Sequence, residues 1–278
     1  MPNKTLVDGV SCSTISINNR GLSYGDGLFE TIKVQRAVPE FYELHLQRLI
    51  SGCQRLNITF DELALRKEIT QLLSESLFQQ SVLKIIITRG DTTRGYRYEA
   101  NLDGHRIISL DELTQDYGEQ QRSGVKTIVC QTRLAANSAV AGIKHLNRLE
   151  NVIARAEWHD STIAEGLLFD TENHLVEGVM SNVFLVDDGV LYTPSLKSCG
   201  VEGIIRHVIL YSVASALNLS VHVGDVSREQ LTRADEVFLC NSLIGIWPVI
   251  AIDEEIREIG SITRKVQNSF LNVSAVDE

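Results

Sequence analysis

No apolar run in this 278-residue chain approaches the ~20 residues that a membrane-crossing helix requires. Basic clusters are missing too: there is no Arg-rich stripe, and the formal net charge is −10. An acidic surface repels nucleic-acid backbones and anionic lipids at long range, so neither is an expected partner, although a local cationic pocket for a small anion stays compatible with it. Cysteine is sparse and unpatterned. Cys12, Cys53, Cys130, Cys199 and Cys240 form an odd set with no C-x-x-C pair. This argues against a disulfide framework and a structural zinc site, and makes a reducing cytoplasm the simplest compartment. Met1-Pro2-Asn3-Lys4 is not followed by an apolar h-region, so no secretory leader is expected. The histidines lack H-E-x-x-H or similar ligand spacing, and no metal is expected. G-x-S-x-G, P-loop and G-x-G-x-x-G sequences are absent as well.

What is present suits a soluble globular protein: 44% hydrophobic and 22% charged residues, in a length that fits one large domain or two smaller ones. Ser11 to Val34 reads as strand, turn, strand, with Gly21, Gly25 and Gly27 marking tight backbone in the turn. Helices are expected from about Glu43 (Leu46, Leu49, Ile50 and Cys53 inward) and after Asp61 as cap (Leu65, Ile69, Leu72 and Leu73 inward). Val82 to Thr88 and Arg106 to Leu110 read as strands. The stretch 113–124 is polar and aperiodic, which suggests a linker between a smaller domain at 1–112 and a larger one at 125–278. In the second part Val125 to Arg133 reads as a strand, and Asn147 to His159 as a helix with Leu149, Ile153 and Ala156 inward. Two hairpins follow, then a helix from Gly203 to about Leu217. Ser227 and Gln230 form a capping box, Val237 to Cys240 is a buried strand, and Ser261 caps a last helix. Strands and helices mix without βαβ alternation, so the expected class is α+β (mixed α/β).

Several residues carry possible chemistry. Lys144 lies between a strand and a helix, in Ala141-Gly142-Ile143-Lys144-His145-Leu146-Asn147. Most lysines are solvated, but a desolvated one loses its proton near neutral pH and can form a Schiff base with an aldehyde. Glu177 sits among apolar neighbours at a strand end, where a carboxylate can pair with a ring nitrogen. Gly203, Ile204 and Ile205 open a helix whose N–H groups suit a phosphate, and Asn241 and Ser242 can add polar donors. Arg48, on the first predicted helix, can clamp a phosphate.

In order, these segments resemble the fold-type-IV pyridoxal-phosphate enzymes. The likeness runs through Arg20-Gly21-Leu22-Ser23-Tyr24-Gly25-Asp26-Gly27-Leu28-Phe29-Glu30-Thr31, His45-Leu46-Gln47-Arg48-Leu49, Lys144, Glu177 with Ser181-Asn182, and Gly203-Ile204-Ile205-Arg206. Within the family, Ile143 to Glu150, Ile87-Thr88-Arg89-Gly90 with Arg94-Gly95-Tyr96, and Cys240-Asn241-Ser242-Leu243 are most similar to the aminodeoxychorismate lyase branch. Branched-chain aminotransferases place a tyrosine five residues after the lysine; here that position is Leu149.

The resemblance implies a two-domain enzyme with pyridoxal 5'-phosphate at the domain interface. Lys144 would hold the cofactor and act as the catalytic base. Glu177 would contact its ring nitrogen, and Arg48, Gly203, Ile204, Ile205, Asn241 and Ser242 would bind its phosphate. It further implies β-elimination of 4-amino-4-deoxychorismate to 4-aminobenzoate and pyruvate, in folate biosynthesis, by a homodimer. A dicarboxylate substrate needs cations, for which Arg89, Arg94 and Arg106 are candidates. The alternative on the same residues is a D-amino-acid or branched-chain-type transaminase.

Overall fold

The computed structural model describes residues 4–99 and 102–276, which divide into two compact units. The first comprises 1–115 with 143–147, the second 116–142 with 148–278.

In the first unit the organising pattern is alternation. Strand Gly27–Gln35 buries Leu28, Glu30, Ile32 and Val34, and its antiparallel neighbour Gln80–Thr88 buries Leu83, Ile85 and Ile87 in register with them. These strands lie inside a six-stranded sheet, with His105–Glu112, Lys4–Val7 and Val10–Ser11 to one side and Val38–Pro39 to the other. Every pairing in it is antiparallel. Helices Tyr42–Arg55 and Glu62–Ser74 contribute Leu46, Leu49, Cys53, Leu65, Ile69 and Leu72 to the same core. Asp61 caps the second, accepting from Ala64 N at 2.9 Å. The glycine-rich turn is more ordered than a plain turn. Asn19 caps a one-turn helix, Arg20–Tyr24, which ends at Gly25 with φ +63°.

Segment 143–147 joins the first unit by backbone pairing. Phe29 N donates to Lys144 O, and Leu146 N donates to Gly27 O, each at 3.0 Å.

The second unit is built on a ten-stranded mixed sheet. Its order is Val221–Gly224, Val190–Pro194, Asn182–Asp187, Glu236–Asn241, Gly245–Ile252, Val125–Leu134, Ile163–Asp170, His174–Gly178 and Val226–Ser227, with Glu255–Ile256 paired to Gly245–Ile252. The expected α+β class is what the fold shows. Both predicted hairpins form, and the second turns through Asp188 and Gly189 at positive φ, the geometry that matches strand twist. The Ser227–Gln230 capping box is present.

Two sequence readings need correction. Helix Leu149–Arg155 is shorter than the predicted 147–159, and it buries Ala154 while Leu149 is 69% and Ile153 53% exposed. In under two turns, three apolar residues cannot fix which face turns inward. The last helix, Ser261–Val276, begins at Ser261 instead of being capped by it; Ile262 N and Thr263 N donate to the Glu236 carboxylate. The division between the units at 115/116 falls inside the stretch 113–124, which also contains helix Gly118–Ser123. Among the described residues no helix is long and apolar enough to cross a membrane.

Candidate active site

The candidate residues fall into two groups, one in each unit. In the first unit the centre is Glu30. Strand alternation places this carboxylate on the buried face between Leu28 and Ile32, where an unpaired charge would be untenable. Helix Tyr42–Arg55 supplies the partners, three residues apart and so on one face. Arg48 donates from Nε to Glu30 Oε1 at 2.8 Å and from Nη2 to Oε2 at 2.5 Å, while His45 Nδ1 lies 2.7 Å from Oε2. Burial pushes the Glu30 carboxyl up, but the Arg48 charge and the hydrogen bonds from His45 and Arg48 outweigh it and hold it at about 2. Burial also drives the His45 pKa down, and the Arg48 and Lys144 charges add to that against the pull of Glu30. A neutral His45 facing a carboxylate carries its proton on Nδ1, which leaves Nε2 as an acceptor.

Lys144 is partly buried, with Nζ 4.3 Å from the centre of the Phe29 ring. Its charge reaches His45, so Lys144, Phe29, Glu30, His45 and Arg48 make one electrostatic neighbourhood. The sequence pattern singles out Lys144 and Arg48 but passes over Glu30 and His45. The available signal was a glutamate on the inward register of an apolar strand.

The three candidate substrate arginines behave differently from one another. Arg89 donates to Asp26 Oδ2 at 2.8 Å and to the carbonyls of Leu56 and Asn57, and it stacks on Tyr98. Arg20 shares that Asp26 oxygen and donates to Thr92, Gly95 and Tyr96, so the pair ties the loop after Thr88 to the rest of its unit. Arg106 is paired with Glu68 at 2.8 Å. Arg94 is exposed on the loop itself.

In the second unit, Glu177 lies one residue before the end of strand His174–Gly178 with only 4% of its surface exposed, and its Oε2 accepts from Val201 N at 2.8 Å. Asn182 takes the other side of the same peptide residue, donating to Val201 O at 2.9 Å. Val201 leads directly into Gly203, the N-cap of helix Ile204–Val208, which has no side-chain cap and continues through the π-type turn Ile209–Val213 to Ala216. Backbone N–H groups at such a start face an acceptor that is not part of the helix. A Cβ on Gly203 would collide with Asn182 Oδ1, so the close approach requires glycine. Arg206 anchors the helix, donating to Thr193 Oγ1 and Pro194 O. The Asn241 side chain is engaged in protein contacts: Nδ2 donates to Met180 O, and Oδ1 accepts from Leu243 N and Ile244 N. Ser242 follows in the same turn.

The second unit thus brings Glu177, the Gly203–Ile205 helix start and the Asn241 turn into one framework, and the first unit brings Lys144 to Arg48. Within the second unit, open helix N–H groups and a buried carboxylate are groups of the kind that serve a phosphate and a ring nitrogen; the first unit holds a lysine amine and a guanidinium.

The family described as amino-transferase class IV matches residues 27–252. The chain is 34% identical to the aminodeoxychorismate lyase of Vibrio harveyi, across 95% of this chain and 98% of that one. The crystal structure of 4-amino-4-deoxychorismate lyase from Pseudomonas aeruginosa superposes with a TM-score of 0.92 at 44% identity, covering 96% of this chain and 98% of that one. The D-alanine aminotransferase of Bacillus licheniformis is 26% identical, over 97% of this chain and 95% of its own.

Proposed function

The chain belongs to the class IV aminotransferase family, and on that premise we propose that it is a pyridoxal-phosphate-dependent lyase converting 4-amino-4-deoxychorismate to 4-aminobenzoate and pyruvate. Full-length likeness to two lyases, at 34% and 44% identity against 26% for a D-alanine aminotransferase, carries this choice over the transaminase alternative. Enzymes of this family depend on pyridoxal phosphate, and the donor set fits it. Lys144 would hold the aldehyde carbon and Glu177 the ring nitrogen. Arg48, the N–H groups from Gly203 to Ile205, and the Asn241-Ser242 turn would hold the phosphate.

The cofactor, when bound, supplies the electron sink for cleavage next to the substrate amine. The protein's own residues do the rest. Lys144 Nζ takes the proton from the amine-bearing ring carbon, as a general base. The bond from the ring to the enolpyruvyl oxygen then breaks, the ring becomes aromatic, and the released enolate takes up one proton on carbon to become pyruvate.

For the substrate carboxylates, exposed Arg94 is the most available of the three candidate arginines; Arg89 and Arg106 already serve Asp26 and Glu68. The free state of all five cysteines supports work in a reducing cytoplasm. Exposed Leu149, Val152 and Ile153 on one short helix support a homodimer, as a second copy would cover them. Product analysis tests the assignment: 4-aminobenzoate from aminodeoxychorismate supports it, whereas rapid transamination of a D-amino acid with 2-oxoglutarate and no 4-aminobenzoate refutes it.

A further inference from the structure

Beneath the turn that links Glu177 to Asn182 lies a second carboxyl that the reaction does not use. Glu165, on strand Ile163–Asp170, is 1% exposed, so its oxygens can be served only by the protein. Oε2 accepts from Ser181 Oγ at 2.8 Å and Met180 N at 3.1 Å, and Oε1 accepts from Gly166 N at 3.0 Å. The turn is closed by Gly178 N donating to Ser181 O at 2.7 Å, and it is pinned from outside by Val179 N to Gly166 O at 2.9 Å. Asn151 and Asn241 hold the carbonyls of Val179 and Met180. A Cβ on Gly178 would strike Ser181 Oγ and stand 3.0 Å from Glu165 Oε2, so the carboxyl packs against bare backbone.

The consequence lies at the two ends of this turn. Glu177 and Asn182 leave it on strands consecutive in the chain, His174–Gly178 and Asn182–Asp187, and grip Val201 from its N–H and its C=O. Any slackening of the turn moves both grips, and with them the start of helix Ile204–Val208. We propose that Glu165 is the positioning residue of the cofactor site: it fixes the 178–181 turn so that Glu177 and the Gly203 helix start are held in one geometry. This rests on the reading that these residues bind pyridoxal phosphate. Burial pushes the Glu165 carboxyl up to about 7 against four opposing hydrogen bonds, the signature of a group kept in place despite its own cost.

Replacing Glu165 by glutamine keeps the shape but not the pattern. One amide oxygen cannot serve both faces, so the amide nitrogen must meet either Met180 N–H or Gly166 N–H. The test measures pyridoxal-phosphate dissociation constants by absorbance, and melting temperatures with and without cofactor, for wild type, Glu165→Gln and Ser181→Ala. Expected are about tenfold weaker cofactor binding in Glu165→Gln, about threefold in Ser181→Ala, and in both a smaller cofactor-induced rise in melting temperature. A merely structural role lowers the two melting temperatures equally and leaves that rise unchanged, which overturns the proposal. If Glu165→Gln does not fold, Ser181→Ala decides by the same readouts. Wild type that takes up cofactor, with variants that match it, overturns the proposal alone. Wild type that takes up none overturns it together with the functional reading.

Discussion

Replacing Glu30 by glutamine tests whether the buried charge cluster is as strongly coupled as its geometry implies. The carboxylate accepts from Arg48 at two atoms and lies against His45, and its pKa falls from 4.5 to about 2. For a group depressed in the fold, the stabilisation is fully present above the unfolded value and is lost as pH falls from about 4.5 towards 2. A gap of about 2.5 units corresponds to about 3 kcal/mol at neutral pH. Breaking one side of a buried ion pair costs about 3–5 kcal/mol by an independent route, because the remaining cation is stranded. The two figures agree, so Glu30→Gln should lose about 3 kcal/mol at pH ~7 and about 2 kcal/mol near pH ~3.5. Urea unfolding of cofactor-free protein followed by circular dichroism, at several pH values, gives the difference directly. A loss below about 1 kcal/mol at neutral pH, or a loss that does not shrink with acid, contradicts the coupling.

Glu165 should show the opposite sign. Its folded pKa is raised from 4.5 to about 7, so its contribution is intact below about 4.5 and is lost as pH rises to about 7. Relative to Glu165→Gln, wild type should lose about 3 kcal/mol across that window; parallel pH–stability curves for the two proteins would contradict it. Gly178→Ala should lower stability by about 1–3 kcal/mol through overpacking against Ser181 and Glu165, measurable as a lower urea midpoint. Val152→Asp, at a residue 63% exposed, should shift the elution volume to that of a monomer if this helix face meets a second copy; an unchanged dimer places the interface elsewhere.

Much of the fold was legible because its signals are local. The β-branched apolar run from Val82 to Thr88, the helix face of Leu46, Leu49 and Cys53, the Asp61 cap and the Ser227–Gln230 box each depend on a few neighbouring residues. Strand Gly245–Ile252 went unread because Pro248 interrupts a pattern that tertiary pairing nonetheless stabilises, with Pro248 opposite Phe238. The inward face of helix Leu149–Arg155 was misread for want of length. In the site, Lys144, Arg48 and Glu177 stood out by residue type and setting. Glu30, His45 and Glu165 did not, because their meaning lies in partners far along the chain: Glu30 is 15 residues from His45, and Glu165 is 16 from Ser181. The Asn241 side chain donates from Nδ2 to Met180 O, and its Oδ1 accepts from Leu243 N and Ile244 N within its own turn, contacts no local pattern announces.

As proposed, Lys144 drives elimination from an amino-enolpyruvyl ring. The direct measurement is 4-aminobenzoate and pyruvate release from 4-amino-4-deoxychorismate by purified wild type and Lys144→Ala, both supplied with pyridoxal phosphate. Wild type should release equal amounts of the two products, and the variant should lose at least about 1000-fold in rate. Full activity in Lys144→Ala, or no 4-aminobenzoate from wild type that holds the cofactor, would contradict it.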